Sequence, residues 1–344
     1  MRSMKDAFIL EPEIVSLIIP CYNGENCLSA CLDSVINQDY SDKIELIFIN
    51  DGSTDRTEEV FQEIKPALVK KLHRVIYLYQ ENMGVGFATQ TALQFVSGEY
   101  LSLLDADDCL FPESVSSKVQ LLKVHPEVSC VYSNGLYSYD GKKEDMFYSE
   151  PLSIDETGFF DSLIDGGAFS WAGSYMIRFS TWLKRCPDRK IYPSRGGQNL
   201  QIILPAVYKE KAIYIDKPLM QYNVHEQSLS SVRNGNDGRK NFEMTYRFED
   251  IYIDIIESIC EEDKEFYLLK IQRSSIRTRM GIAKKYKNAE LMKTVKKEYS
   301  SVGGMTINDR ITINSICNPP WSFFLRFIRK ASSIWPKRAD QNIQ

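Results

Sequence analysis

From Val15 to Tyr132 the chain alternates two hydrophobic periods in a fixed order, and few folds accommodate that order. Val15 to Pro20 is an apolar run closed by proline, which reads as a strand buried on both faces. Leu28, Cys31, Leu32, Val35 and Ile36 then recur at the spacing of one helical face. Ile44 to Asn50 is a second buried strand, Thr54 to Val69 a helix, and Val75 to Tyr79 a third strand. Ala88, Ala92, Phe95 and Val96 again share a helical face, followed by a strand at Tyr100 to Leu104. Pro112 stands where a first-turn proline would, opening a helix to about Lys123, and Val128 to Tyr132 returns to the sheet. Strands alternating with helices imply right-handed crossovers, so the expected class is α/β, a mostly parallel central sheet with helices on both faces. In such sheets a ligand sits beyond the carboxyl ends of the strands, so the polar residues directly after each strand are the ones to inspect.

Beyond Tyr132 the pattern loosens, recovering as a helix near Ile202 to Tyr208 and a strand at Ala212 to Ile215. Ser230 to Arg239 is polar and glycine-bearing, the composition of a linker. Phe242 to Val302 is helical, with Ile251, Ile255, Ile256 and Ile259 on one face. At 344 residues the chain exceeds one ordinary core, and the expected division is 1–235 for the α/β domain and 236–344 for a helical extension. A net charge of -4 gives no basic excess for a nucleic-acid backbone, so nucleic acid is excluded as a general partner. The eight cysteines form no CxxC pair and read as reduced thiols. No apolar leader opens the sequence and no apolar run approaches the ~20 residues that span a bilayer, so the expected location is cytoplasmic.

The strand ends carry conspicuous polar groups: Pro20-Cys21-Tyr22-Asn23-Gly24, Asn50-Asp51-Gly52-Ser53-Thr54-Asp55, and Asp105-Ala106-Asp107-Asp108. In an extended segment Asp105 and Asp107 project to one side. Crowded carboxylates repel unless a cation neutralises them, and Mg²⁺ or Mn²⁺ does so while completing its shell with substrate phosphates. The simpler alternative is that Asp107 and Asp108 cap the helix that follows. Asp51 offers an acceptor for a base edge and Tyr22 a stacking face, whereas a plain turn would have Asp51 and Ser53 bond backbone. Asn82-Met83-Gly84-Val85-Gly86 looks like a phosphate-cradling glycine turn.

In order, PCYNGENCLSACLDSVINQ, ELIFINDGSTDRT, ENMGVGFATQTAL and YLSLLDADDCLFPESV resemble the inverting glycosyltransferases of family 2, which have the GT-A fold. The resemblance is strong over Val15 to Lys123 and fainter through IDKPLMQYNVHEQSLSS. It implies that Pro20, Tyr22, Asn23 and Ser53 line a nucleoside pocket, that Asp51 contacts the base, most often uracil, and that Asn82 and Gly84 lie near ribose and diphosphate. Asp105-Ala106-Asp107 matches the DxD motif, which makes Asp107 a metal ligand, Asp105 a ribose or metal-shell contact, and Mn²⁺ or Mg²⁺ the cofactor. His225 stands where relatives place a histidine near the metal, although a lone histidine is as often structural.

One departure concerns the base. Relatives carry a Glu-Asp pair whose aspartate deprotonates the acceptor hydroxyl, and here Gln198-Asn199 occupies that place. Either Asp165 or Asp188 serves instead, or the amides orient the acceptor, or the chemistry differs. Trp171, Tyr175 and Arg178 fall in the region that faces the acceptor in relatives, with a core role as the alternative. The function implied is transfer of a sugar from a UDP-sugar to a surface glycan or a lipid-linked precursor. The alternative is a catalytically idle sugar-nucleotide or glycan-binding module. The basic-aromatic stretch 319–338, with Trp321, Phe323, Phe324 and Arg326 among its residues, leaves three roles open: peripheral contact with the inner face of the membrane, docking on the body of the protein, or homo-oligomer formation.

Overall fold

The computed structural model describes residues 10–139, 143–150, 156–168, 171–224 and 238–317. Two compact units are formed, Met1–Val232 with Ile251–Lys264, and Arg233–Asp250 with Glu265–Gln344. The division differs from a single cut near 235, because Ile251–Lys264 groups with the first unit. The reason is local: the apolar face of Ile251, Ile255, Ile256 and Ile259 is buried, and a Cβ on Gly197 would meet Ile251 Cδ1 at 2.6 Å.

In the first unit, β1 (Glu11–Cys21), β2 (Ile44–Asp51), β3 (Arg74–Gln80) and β4 (Gly98–Leu103) pair in the order β3-β2-β1-β4, all parallel. Between them run α1 (Leu28–Ile36), α2 (Thr57–Lys71) and α3 (Val85–Leu93). Every residue of β2 is buried, which is why it reads as a continuous apolar run rather than an alternation. Val15, Leu17, Ile19, Leu46 and Phe48 share a core with Leu28, Cys31 and Leu32 of α1 and Phe61 and Leu68 of α2. Phe48 stacks on Phe61 at 4.4 Å between centroids. The alternate residues Ile18, Ile47 and Ile49 are equally buried, and α3 packs on β1 and β2.

The sheet continues through β8 (Tyr175–Arg178), β6 (Val128–Tyr139), β9 (Lys211–Val224) and β5 (Cys109–Leu110), with β7 (Lys143–Met146) paired to the far half of β6. β8 runs antiparallel between β4 and β6, so β6 joins the parallel set only across an inserted strand that hydrophobic periodicity does not reveal. β6 and β9 are parallel, and β5 is antiparallel to β9. α4 (Ser114–Val124), α5 (Phe159–Asp165), α6 (Phe179–Arg185) and α7 (Gln198–Val207) complete the unit.

The second unit is helical: α8 (Gly238–Ile259, whose latter half belongs to the first unit), α9 (Lys264–Lys285), α10 (Ala289–Val302) and α11 (Ile307–Cys317). Arg279 is buried between Glu249 and Glu298, at 2.6 and 2.9 Å, and ties three helices together. The expected linker and the tail 319–338 lie outside the described residues apart from Gly238 and Arg239, which open α8.

Candidate functional site

Where β1, β2 and β4 end, three loops converge. Pro20 falls beyond the last β1–β4 pair, Ile18 with Leu103, so its missing N–H interrupts no ladder and β4 is free to diverge. The loops after β1 and β2 are laced reciprocally. The Asn23 N–H donates to Ser53 Oγ at 3.0 Å, the Thr54 N–H to Asn23 Oδ1 at 2.8 Å, and the Gly24 N–H to Thr57 Oγ1 at 2.7 Å. Asn23 adopts a left-handed φ of 54°, which asparagine tolerates. The polar groups of Asn23 and Ser53 therefore build the wall, while the ring of Tyr22 is 50% exposed at its mouth.

Asp51 is buried and accepts three hydrogen bonds, from Gln80 Nε2 at 2.7 Å, the Met83 N–H at 3.1 Å and the Gly84 N–H at 2.8 Å. A carboxylate offers about four acceptor sites, so the turn after β3 occupies most of them. Asn82 and Gly84 are held here, but the glycines answer to a chain contact. A Cβ on Gly84, whose φ is +100°, would meet Arg195 Cα at 2.9 Å, and one on Gly86 would meet the Ser194 carbonyl oxygen at 2.3 Å. The turn thus admits the segment Ser194-Arg195 against α3, and two of its N–H groups, those of Met83 and Gly84, are taken by Asp51. Arg195 Nη2 donates to Asn82 Oδ1 at 2.7 Å.

After β4, Ala106 packs against the core between Asp105 and Asp107. Asp108 is fully buried. Its Oδ1 accepts from the Asn223 N–H at 2.9 Å, and its Oδ2 has no hydrogen-bond partner. Asn223 Nδ2 donates to the Asp107 carbonyl at 2.6 Å, anchoring the run on β9. Burial first, then the Asp107 charge, pushes Asp105 up to about 7, opposed by a hydrogen bond from Gln198. The same two causes, with Asp105 added, raise Asp108 well above the usual carboxylate range. Burial likewise keeps the neighbouring thiols of Cys21, Cys27 and Cys31 neutral, and none of the eight cysteines is in a disulfide. Helix capping does not explain the aspartates, because β5 separates them from α4, whose N-cap residue is Glu113.

The donor set fits a hard divalent cation: acidic oxygens crowded together, one of them buried and unpartnered. Among the described residues no three His, Cys, Asp or Glu side chains are grouped so as to hold a metal ion, so an ion here would need oxygens from a ligand to complete its shell. His225 lies outside the described residues.

The facing wall starts at α7. Gln198 is buried against Asp105, and Tyr175 Oη donates to Asn199 Oδ1 at 3.2 Å. Trp171 lies in an aromatic cluster, 5.0 Å from Tyr222 and 6.4 Å from Tyr137 between centroids. Two expectations need correction. Tyr175 is fully buried, so it supports Asn199 rather than presenting a face. Arg178 pairs with Glu99 at 2.9 Å and donates to the Leu122 carbonyl, at the end of β4 remote from the aspartates, because β8 runs antiparallel. Asp188 is exposed and pairs with Lys190, and Asp165 is exposed at the end of α5. Sequence reasoning missed Asn223 and Arg195. The only signals were an asparagine in the apolar pattern of β9 and a lone arginine before two glycines.

Residues 16–181 match the family model described as glycosyl transferase family 2. Glycosyltransferase GlyA of Streptococcus pneumoniae serotype 4 is 31% identical over 238 residues, 65% of this chain and 32% of that protein. An uncharacterized glycosyltransferase of Rickettsia typhi is 31% identical over 200 residues, 52% of this chain and 60% of its own length. The chain therefore spans less than two thirds of either relative. Among solved structures, Staphylococcus aureus TarS 1-349 in complex with UDP-GlcNAc superposes with a TM-score of 0.60 at 16% identity, over 96% of each chain. The mannosyltransferase PcManGT of Pyrobaculum calidifontis, in complex with GDP-Man and Mn²⁺, gives 0.51 at 16% identity, over 96% of this chain and 85% of that one. At such identities the likeness concerns the fold, and the α/β class with a helical C-terminal region is the class observed.

Proposed function

We infer that this chain is a family 2 glycosyltransferase of GT-A type, moving a sugar with inversion from a UDP-sugar to a cell-surface glycan or its lipid-linked precursor. The observation that carries this reading is the run Asp105–Asp108, with Asp108 Oδ2 buried and unpartnered and Asp105 pushed toward its neutral form. The family match supports it, since 16–181 contains all three converging loops. So do the nucleotide-sugar complexes of the two structural neighbours, UDP-GlcNAc in TarS and GDP-Man with Mn²⁺ in PcManGT.

Asp107 and Asp105 would hold Mn²⁺ or Mg²⁺, which when bound supplies positive charge to the departing diphosphate. Tyr22 stacks on the base at the mouth. Asp51 fixes the Met83-Gly84 turn, and its remaining acceptor site would take a base N–H. Inversion is one in-line displacement at the anomeric carbon, so the chain needs no nucleophile of its own. The aromatic cluster around Trp171 offers an apolar face for an acceptor ring.

A second reading is favoured by Gln198 and Asn199, amides that cannot take a proton: a binding module that holds the donor without transferring it. Release of nucleoside diphosphate from a panel of UDP- and GDP-sugars separates the two. The transferase reading expects slow hydrolysis of a UDP-sugar, abolished by EDTA and lowered at least ~100-fold in Asp107→Ala, a loss of about 2.7 kcal/mol in transition-state stabilisation. Metal-dependent binding without release after long incubation would support the module, and absence of both would overturn each reading.

A further inference from the structure

Charge divides this chain sharply. Residues 1–264 hold 26 Lys and Arg against 41 Asp and Glu, whereas 265–344 hold 16 against 5. Such asymmetry marks the basic part as the one that meets an anionic partner. Three of the four acids in 265–317 are engaged within the fold. Glu298 pairs with Arg279, Glu290 pairs with Arg239, and Asp309 caps α11 reciprocally with Thr306. Arg273, Lys296 and Arg310 form no ion pair among the described residues, and Arg273 Nε is buried without a hydrogen-bond partner.

These three cations surround one cavity. It measures about 470 Å³, lies where α10 turns into α11, and is lined by Lys296 and Ser300, the Gly303-Gly304 turn, and Arg310 and Asn314. Both glycines have a left-handed φ, +75° and +80°, and a Cβ on Gly304 would meet Arg273 Nε at 2.5 Å, so the turn lies directly on that guanidinium. Like charges gathered without a counter-ion repel one another, and a bound anion relieves the repulsion. The volume suits a small ligand. An ammonium, a guanidinium fork, a hydroxyl and an amide are together donors for the several oxygens of a phosphate group.

The surface beside the cavity is apolar. Ile307 is 78% exposed, the highest value of any large hydrophobic residue among those described, and Ile311 is 38% exposed. At 3.6 residues per turn, Ile307, Arg310, Ile311 and Asn314 share one face of α11. A soluble anion would leave both isoleucines in water, whereas a lipid headgroup brings acyl chains to them. Residues 318–344 add five Lys and Arg against one Asp, so the sequence that follows α11 enlarges the positive excess. We propose that the α10–α11 corner of the helical unit is a headgroup site for an anionic phospholipid, with Lys296 and Arg310 holding the phosphate and Ile307 and Ile311 entering the acyl boundary. The site puts the membrane contact in folded helices rather than in the stretch 319–338 alone, and it stands independently of the donor reading.

The test is flotation of the full chain with vesicles of phosphatidylcholine, alone or mixed with phosphatidylglycerol. Binding is expected to the mixed vesicles only, and to weaken as salt is raised. Lys296→Gln with Arg310→Gln should lower vesicle affinity ~10-fold or more, since each cation near an anionic surface contributes roughly a 5-fold factor. Should that pair melt early, Lys296→Gln alone is read instead, with a loss of roughly 5-fold expected. Ile307→Ser with Ile311→Ser should lower affinity while keeping its salt dependence. All four side chains are exposed, so melting temperature and donor hydrolysis should stay at wild-type values. Binding that survives both pairs and is lost on Arg326→Gln with Arg329→Gln and Lys330→Gln would place the contact in the tail and overturn the proposal. Equal binding to both kinds of vesicle, or to neither, would also overturn it. Stabilisation by inorganic phosphate without vesicle binding would give the cavity to a soluble anion, and a salt-sensitive dimer without vesicle binding would give the corner to the acidic surface of a second copy; either result contradicts the lipid assignment.

Discussion

Asp108 Oδ2 is the kind of atom a folded protein avoids, a buried carboxylate oxygen with no partner. Its cost is shared by Asp105, whose proton affinity is raised by burial and by Asp107. The sign of the resulting pH dependence follows from linkage. Asp105 is raised from 3.8 to about 7, so between these values the folded chain holds a proton that the unfolded chain has released. Stability therefore falls as pH rises through that window. In EDTA the protein is expected to lose about 1 kcal/mol between pH 6 and pH 8 from this group, within the limit of ~1.4 kcal/mol per pH unit per proton. Asp105→Asn should flatten the profile and melt higher than wild type at pH 8, at the expense of activity. A metal-free melting point that rises across the same interval, in wild type and variant alike, would contradict this account of the aspartates.

Among the elements, β1 to β4 and their polar ends were legible because each strand is buried on both faces and each ends in a loop of small and polar residues. β8 was not: it has four residues, and its burial is decided by β4 and β6, far away in sequence. That omission misplaced Tyr175 and Arg178, since an antiparallel insert reverses which end of the segment meets the crevice. The start of α2 shifted from Thr54 to Thr57 because Thr54 is tied to Asn23 and the Thr57 N–H bonds Asp55 Oδ1 at 3.0 Å. The glycines at 84 and 86 were legible as special but not as a docking surface, because the partner segment lies over a hundred residues away. Their role predicts that Gly86→Val, whose side chain would displace Ser194, destabilises the protein by about 2 kcal/mol or more and weakens donor binding. Thermal melting and UDP titration of the variant check it; wild-type values in both would show that the contact is dispensable.

For the whole molecule, the likeness to TarS 1-349 covers 96% of this chain, whereas the family match ends at residue 181. The residues after 181 that meet the aspartates, Gln198 and Asn223, and Arg195, which meets Asn82 and Gly84, thus lie where sequence resemblance is faint, and folding alone brings them to these loops. The central claim is that the aspartate run binds a nucleoside diphosphate through a shared divalent cation. Isothermal titration of UDP into the full chain, with Mn²⁺ and then with EDTA, tests it for wild type and Asp107→Ala. The account predicts binding that requires Mn²⁺ and weakens at least ~10-fold in the variant, about 1.4 kcal/mol. UDP binding of equal strength in EDTA, or unchanged by Asp107→Ala, would contradict it.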